Sequence, residues 1–206
     1  MKTFVAGSYL QRGRYRSFQP NPINRRWELD NMELQQLLGK ADRELGRLDM
    51  FSNYVPNIDL FIRMHVLKEA TQSSRIEGTR TNIEDALLDA KDIAPEDRDD
   101  WEEVQNYVAA MNAAIGRLET LPLSSRLARE AHEILLQGVR GKDKRPGEFR
   151  QSQNWIGGAS IEDAAFIPPI HTSIAALMAD LEAFVHDETH YFPELLKIAL
   201  VHYQFE

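Results

Sequence analysis

Apolar residues recur every three or four positions along most of this chain, the spacing of one helix face. Leu34, Leu37, Leu38, Ala41, Leu45 and Leu48 make the first such stripe. Asp30 followed by Glu33 reads as a capping box, so a helix is predicted to start near residue 31. A loop with Pro56 ends it. Leu60, Phe61, Met64, Leu67 and Ala70 predict a second helix over about 58–74. Thr81 with Glu84 is a second capping box, opening a short helix that carries Ala86, Leu87 and Leu88. Trp101, Val104, Val108, Met111, Ile115 and Leu118 predict a helix over about 96–118, with Pro95 suited to its first turn. Ser124 or Ser125 can cap the next, whose inward set is Leu127, Ala131, Ile134, Leu135 and Val139. Ile174, Leu177, Leu181 and Phe184 predict a helix over about 170–186. Pro193 starts the last one, with Leu195, Leu196, Ile198, Ala199, Val201 and Phe205 as its apolar set.

Two regions break this pattern. Residues 1–29 read as an arm and loop, because Pro20 and Pro22 stop any helix. Between 140 and 170 the chain is rich in turn residues, with two short extended runs, GEFRQSQNWIG and AAFIPPI, around GASIED. Pro168 and Pro169 cannot sit inside a sheet. Two lone strands are marginal in water, so a β-hairpin leaning on helices is predicted. The fold class is therefore all-α, a compact bundle of about seven helices with one β-hairpin. The chain divides into an arm, 1–29, a helical region, 30–120, and a second part, 121–206, that holds the hairpin.

Composition adds little to the fold and more to the exclusions. A chain of 206 residues can bury a sizeable core as one domain, or one and a half. A net charge of −8 works against nucleic acid at long range. The run Arg12, Arg14, Arg16, Arg25 and Arg26 reads as a solvated arm or as a weak local nucleic-acid contact. With no cysteine, disulfides and thiolate catalysis are excluded, and a cytoplasmic location is compatible. No apolar run is long enough to span a membrane, and the start lacks a signal-peptide core.

Candidate chemistry is sparse. His186 and His190 lie one helical turn apart, but Asp187 stands where a metalloprotease helix needs glutamate, so no metal ligands are expected. Neither GxxxxGK[ST], GxGxxG nor GxSxG occurs. Ser73 and Glu77, in Ser-Ser-Arg-Ile-Glu-Gly, share one helix face. A carboxylate there can accept a guanidinium bidentately, although Ser and Glu near a helix end are also ordinary surface residues. Trp155, Ile156, Phe166 and Ile167 either close the core or present backbone edges and rings to a partner. For Trp155 the core is the favoured reading.

Taken in order, four stretches resemble the Fic (or Fido) family over nearly the whole chain. LFIRMHVLKEATQSSRIEGTRTNIEDAL, 60–87, is similar to the family's inhibitory helix and the segment after it. RPGEFRQSQNWIGG, 145–158, and AAFIPPI, 164–170, resemble the two sides of its flap hairpin, and LLKIALVHYQFE, 195–206, resembles the helix that leads into its signature loop. The signature itself, HPFxxGNGRxxR, is absent, and His202 is not its histidine, because Tyr203, Gln204 and Phe205 come next.

The resemblance implies a Fic-type bundle, with 121–206 as the N-terminal part of the Fic core, incomplete at its C-terminal end. It implies a protein adenylyltransferase that moves AMP from ATP, with Mg2+, onto a Ser, Thr or Tyr hydroxyl of a target protein. It further implies self-inhibition: Ser73, Glu77 and Gly78 match Ser/Thr-x-x-x-Glu-Gly/Asn, with Glu77 engaging the later arginine of the signature. Glu77 and Gln204 fall on the nucleotide side. Gln151, Ser152, Gln153, Asn154, Trp155 and Ile156, with Ala165, Phe166, Ile167 and Pro168, become the flap that docks an extended target segment. No catalytic or metal-binding residue is assigned here, since base, phosphate loop and both arginines belong to the missing signature. The chain by itself is therefore expected to be inactive. A peptide- or protein-binding module acting through the flap is the alternative, and a second copy of the chain is an open partner.

Overall fold

The computed structural model describes residues 4–76, 78–139 and 145–206. It contains seven α-helices among the described residues, with short 3-10 turns and one two-stranded antiparallel sheet. The elements are β1 (Gly7–Arg12), β2 (Tyr15–Pro20), α1 (Met32–Ser52), α2 (Ile58–Ile76), α3 (Ile83–Ala86), α4 (Arg98–Arg117), α5 (Ser125–Leu135), α6 (Ile174–Val185) and α7 (Glu194–Phe205). The chain forms two compact units. One comprises Met1–Glu44 and Phe149–Glu206; the other comprises Leu45–Glu148.

The arm is not a loop. Residues 7–12 and 15–20 pair as a hairpin, with Tyr9 opposite Phe18 and Leu10 opposite Ser17. The pattern of apolar positions does not reveal it, because the usual alternation is absent: β1 has no buried residue, and the one buried position of β2 is Ser17. Asp180, on α6, fixes the segment after the hairpin. Its Oδ2 accepts the backbone N–H of Ile23 at 2.8 Å and of Asn24 at 3.3 Å. Ile23 packs fully buried with Leu181 and Phe184, and Trp27, Met178, Phe192, Leu200 and Val201 close round them. The Trp27 indole N–H donates to the Ile23 carbonyl at 2.9 Å, so the ring keeps its polar edge satisfied while its body packs.

In the second unit α4 packs on both α2 and α5. Leu67, Ala70, Ala86 and Val104 form its buried cluster, with Ile83, Tyr107 and Val108 against it. Burying Leu67 and Val104 contributes roughly 1.5–3 kcal/mol each, and the small Ala70 and Ala86 let the helices approach. Arg117 and Arg126 both meet Glu130, at 3.1 and 2.8 Å, and their hydrogen bonds hold its carboxyl below the ordinary carboxylate range.

Helix starts differ from the sequence reading by one residue at two places. The first helix is capped by Asn31, whose Oδ1 accepts the Leu34 N–H at 2.9 Å, and not by Asp30. The short third helix is capped by Asn82, through the Asp85 N–H at 2.8 Å, and not by Thr81. Asn serves as well as Asp or Thr in this role. Ser124 caps α5 as expected. The apolar stripe of α1 exists but buries none of its residues, and Leu45 and Leu48 remain about half exposed, at 48% and 56%.

Candidate functional site

The stretch around Ser73 ends α2. Ser73 donates its hydroxyl to Glu69 Oε1 at 2.8 Å, one turn earlier, so that hydroxyl is held along the helix. Glu77 lies outside the described residues. Gly78 stops the helix: its N–H donates to the Arg75 carbonyl and the Thr79 N–H donates to the Ser74 carbonyl, both at 3.1 Å. That pair is a Schellman ending, and the φ of +101° at Gly78 is why glycine stands there. After it, Arg80 donates its N–H to Asp100 Oδ2 at 2.8 Å, tying the chain to α4. Thr79 is buried and its Oγ1 has no partner among the described residues.

The flap is a hairpin of one bridge and not of two regular strands. Ile156 and Phe166 pair, with the Ile156 N–H donating to Phe166 O at 2.8 Å and the Phe166 N–H returning to Ile156 O at 3.1 Å. Side chains do the rest of the joining. Arg150 donates to the carbonyl of Pro169 and, at 3.1 Å, to that of Ser152. Gln153 Nε2 reaches Pro168 O at 3.0 Å and Asn154 O at 3.1 Å. Pro168 and Pro169 have no N–H to give, so these two positions can only accept, and Arg150 and Gln153 supply the donors. Partial burial pulls the Arg150 guanidinium below its ordinary value. Gly158, with φ +77°, sits where a Cβ would come 2.4 Å from the Asp163 carbonyl oxygen.

Exposure sorts the flap residues. Ile167 is buried and closes the core. Trp155 is 41% exposed and Ile156 63%. The expectation that Trp155 belongs to the core is therefore corrected: its side of the hairpin turns outward and Ile167 takes the inward role. Gln151, Ser152, Asn154 and Ala165 are exposed, whereas Gln153, Phe166 and Pro168 are half-buried.

On α7, Gln204 is half-buried and its Oε1 has no hydrogen-bond partner among the described residues. His202 and Tyr203 are exposed. His190 is drawn to Asp187, Nδ1 to Oδ2 at 2.8 Å. Thr189 adds two further donors to the same carboxylate, which holds Asp187 well below the usual carboxylate range. The pair helps line a cavity of about 600 Å³ with Arg25, Trp27, Phe192 and Lys197; no described residue of the Ser73–Gly78 stretch or the flap, and not Gln204, lines it. Sequence reasoning meets His190 only as half of a metal spacing. Among the described residues, no group of three His, Cys, Asp or Glu could hold a metal ion, and no helix is long and apolar enough to cross a membrane.

Comparison with known proteins adds family and fold. Residues 35–116 match the family model described as Fic/DOC family N-terminal. The match takes in α2 with the Ser73–Gly78 stretch; the flap and α7 lie beyond it. No curated protein matches the chain. Among solved structures, a Fic family protein from Desulfovibrio desulfuricans G20 superposes with a TM-score of 0.63 at 18% identity, over 88% of this chain and 53% of that one. The chain thus spans about half the length of that protein, and the likeness speaks to the fold. Over residues 35–116 the chain is similar to the N-terminal region of the Fic/DOC family, and its helical fold is of the Fic type.

Proposed function

We propose that this chain is the N-terminal part of a self-inhibited protein adenylyltransferase. In the complete protein a target Ser, Thr or Tyr hydroxyl attacks the α-phosphorus of ATP. The new oxygen–phosphorus bond forms as the bond to pyrophosphate breaks, and the hydroxyl proton passes to a base in the HPFxxGNGRxxR signature. That signature is proposed to follow Glu206. The observation that carries this reading is the Fic/DOC N-terminal match across the stretch that holds Ser73, Glu77 and Gly78.

The residues of this chain have subsidiary parts in that scheme. Transfer at phosphorus depends mainly on positioning and on charge stabilisation. An extended target segment docks by backbone pairing beside Trp155 and Ile156, which leaves its side chains unread. Glu77 occupies the signature arginine that would otherwise hold the γ-phosphate. Gln204 lines the nucleotide side. Its buried, unpartnered Oε1 supports this, since a buried acceptor without a donor costs roughly 1–3 kcal/mol. Mg2+ neutralises phosphate charge when bound. The described residues offer it no cluster of ligands, so its ligands are proposed to be the nucleotide phosphates and the signature.

The test is direct. Residues close to HPFxxGNGR are expected immediately after Glu206 in the encoding gene. With them present, labelled ATP should label the protein weakly, and Glu77→Gly should raise that labelling. A different continuation would sink the transferase reading; unchanged labelling would remove the inhibitory role alone. The exposure of Trp155 and Ile156 also favours a second reading, a peptide-binding module without catalysis. On that reading, peptide binding is lost when Trp155 and Phe166 become alanine, in a protein that never transfers AMP.

A further inference from the structure

The flap has a second edge, and the N-terminal hairpin occupies it. While Ile156 pairs with Phe166 on one side, the Phe18 N–H of β2 donates to the Ile167 carbonyl at 2.8 Å on the other. The rings repeat the contact: Phe18 and Phe166 lie 6.0 Å apart between centroids, and Tyr9 and Phe18 lie 5.4 Å apart. Four backbone segments are thus linked in the order β1, β2, 165–167 and 155–157.

The direction of the Phe18 N–H is set by the ladder. In an antiparallel pair, successive residues turn their N–H groups alternately toward the partner strand and away from it. Phe18 is opposite Tyr9 and turns its N–H outward, to Ile167; Ser17 is opposite Leu10 and faces β1. Pro20 stands two residues on, along the same outer edge, and has no N–H to offer. Of the outer-edge N–H groups it is that of Phe18 that meets the Ile167 carbonyl. A hairpin of one bridge is marginal by itself, and a third segment at its edge is what such a hairpin needs.

We propose that Phe18 is a positioning residue for the flap. The N-terminal hairpin holds the Phe166–Ile167 side, and the Ile156–Phe166 bridge carries that placement to the Trp155–Ile156 edge. Filling one edge also leaves a docking segment only the other, which fixes the side and register at which a target strand can add. The consequence for target docking rests on the reading under Proposed function; the positioning does not.

Amide hydrogen exchange on the 206-residue chain tests it. Phe18→Pro removes the outward N–H and leaves the donors to β1 in place, while Phe18→Ala keeps the N–H and loses the ring. Deleting residues 1–20 removes the whole hairpin. Exchange at Ile156, Ala165 and Phe166 is expected to rise about tenfold in Phe18→Pro and in the deletion, and less in Phe18→Ala, as for loss of one net hydrogen bond. Amides of Leu181 and Phe184 should keep their wild-type exchange. Flap amides unchanged in the deleted chain overturn the proposal. An equal rise along α6 overturns it too, since the arm would then be a general stabiliser. In a form that transfers AMP, Phe18→Pro should raise KM for the target and leave kcat unchanged. A longer form that carries the signature after Glu206, passes the exchange test and never transfers AMP would refute the transferase reading and leave the positioning intact.

Discussion

Asp180 is the side chain on which the seating of the N-terminal segment turns, and replacing it gives the sharpest energetic prediction. Its Oδ2 accepts two backbone N–H groups, from Ile23 at 2.8 Å and Asn24 at 3.3 Å, and Ile23 is fully buried. Asp180→Ala removes the acceptor and leaves the Ile23 N–H without a partner in an apolar cluster. Hydrogen bonds to a charged group contribute roughly 1.5–3 kcal/mol, and an orphaned buried donor costs about 1–3 kcal/mol; these are two descriptions of one loss, so the expected destabilisation is about 2–3 kcal/mol. Urea slopes of roughly 1–3 kcal/mol/M turn that into a fall in midpoint of about 1 M. Asp180→Asn keeps a carbonyl oxygen at the same place and loses only the charge, so about 1 kcal/mol is expected. The assay is urea unfolding monitored by Trp27 fluorescence, with Trp101 and Trp155 replaced by Phe. Trp27 reports on this site because its indole N–H rests on the Ile23 carbonyl. An Asp180→Ala midpoint indistinguishable from that of the parent would refute the reasoning, because it would mean that water satisfies the Ile23 N–H at no cost.

Three other outcomes are expected from the same geometry. Asn82→Ala should destabilise the chain by about 1 kcal/mol in thermal unfolding, since it removes the cap of α3, whereas Thr81→Val should cost less because Thr81 is not the cap. Gly158→Ala should cost at least about 1–2 kcal/mol from its left-handed backbone alone, and should speed exchange at Ile156, because the new methyl meets the Asp163 carbonyl. Asp187 has a folded-state pKa depressed below 3.8 by Thr189 and His190, so it adds stability above its unfolded value that is lost as pH falls through the folded one. Between about pH 4 and pH 2 the melting temperature of Asp187→Asn should accordingly fall less steeply than that of the parent; parallel curves would show that the Thr189–His190 contacts do not form in solution.

The helices are legible because burial imposes a period that survives in one sequence. Leu67, Val104, Leu127, Leu181 and Phe184 all sit at predicted inward positions, and all are buried. The caps predicted at Asp30 and Thr81 fall one residue early, since an asparagine beside a better-known capping residue does the same chemistry. The N-terminal hairpin is invisible in the sequence for a different reason. Its partner lies at Ile167, far along the chain, and neither of its strands has a buried apolar face to alternate. The place of the flap in the chain can be read from its turn residues, but its inward residue cannot. Trp155 offers more apolar area than Ile167, and only the direction of the hairpin decides which of them faces in. Gln204 is singled out by resemblance, and nothing in its local spacing announces that its Oε1 is buried and unpaired.

The way the flap is fastened has a bearing on how such proteins diverge. Its two limbs are cross-linked by Arg150 and Gln153 reaching over to the carbonyls of Pro169 and Pro168. Carbonyls are common to every amino acid, so the acceptors survive any change at those two positions, and the width of the gap between the limbs is encoded in the length and fork of two donors. A lysine in place of Arg150 would reach from one point instead of two. Point changes at 150 and 153 can thus widen or narrow the gap between the limbs while the residues that line it stay the same.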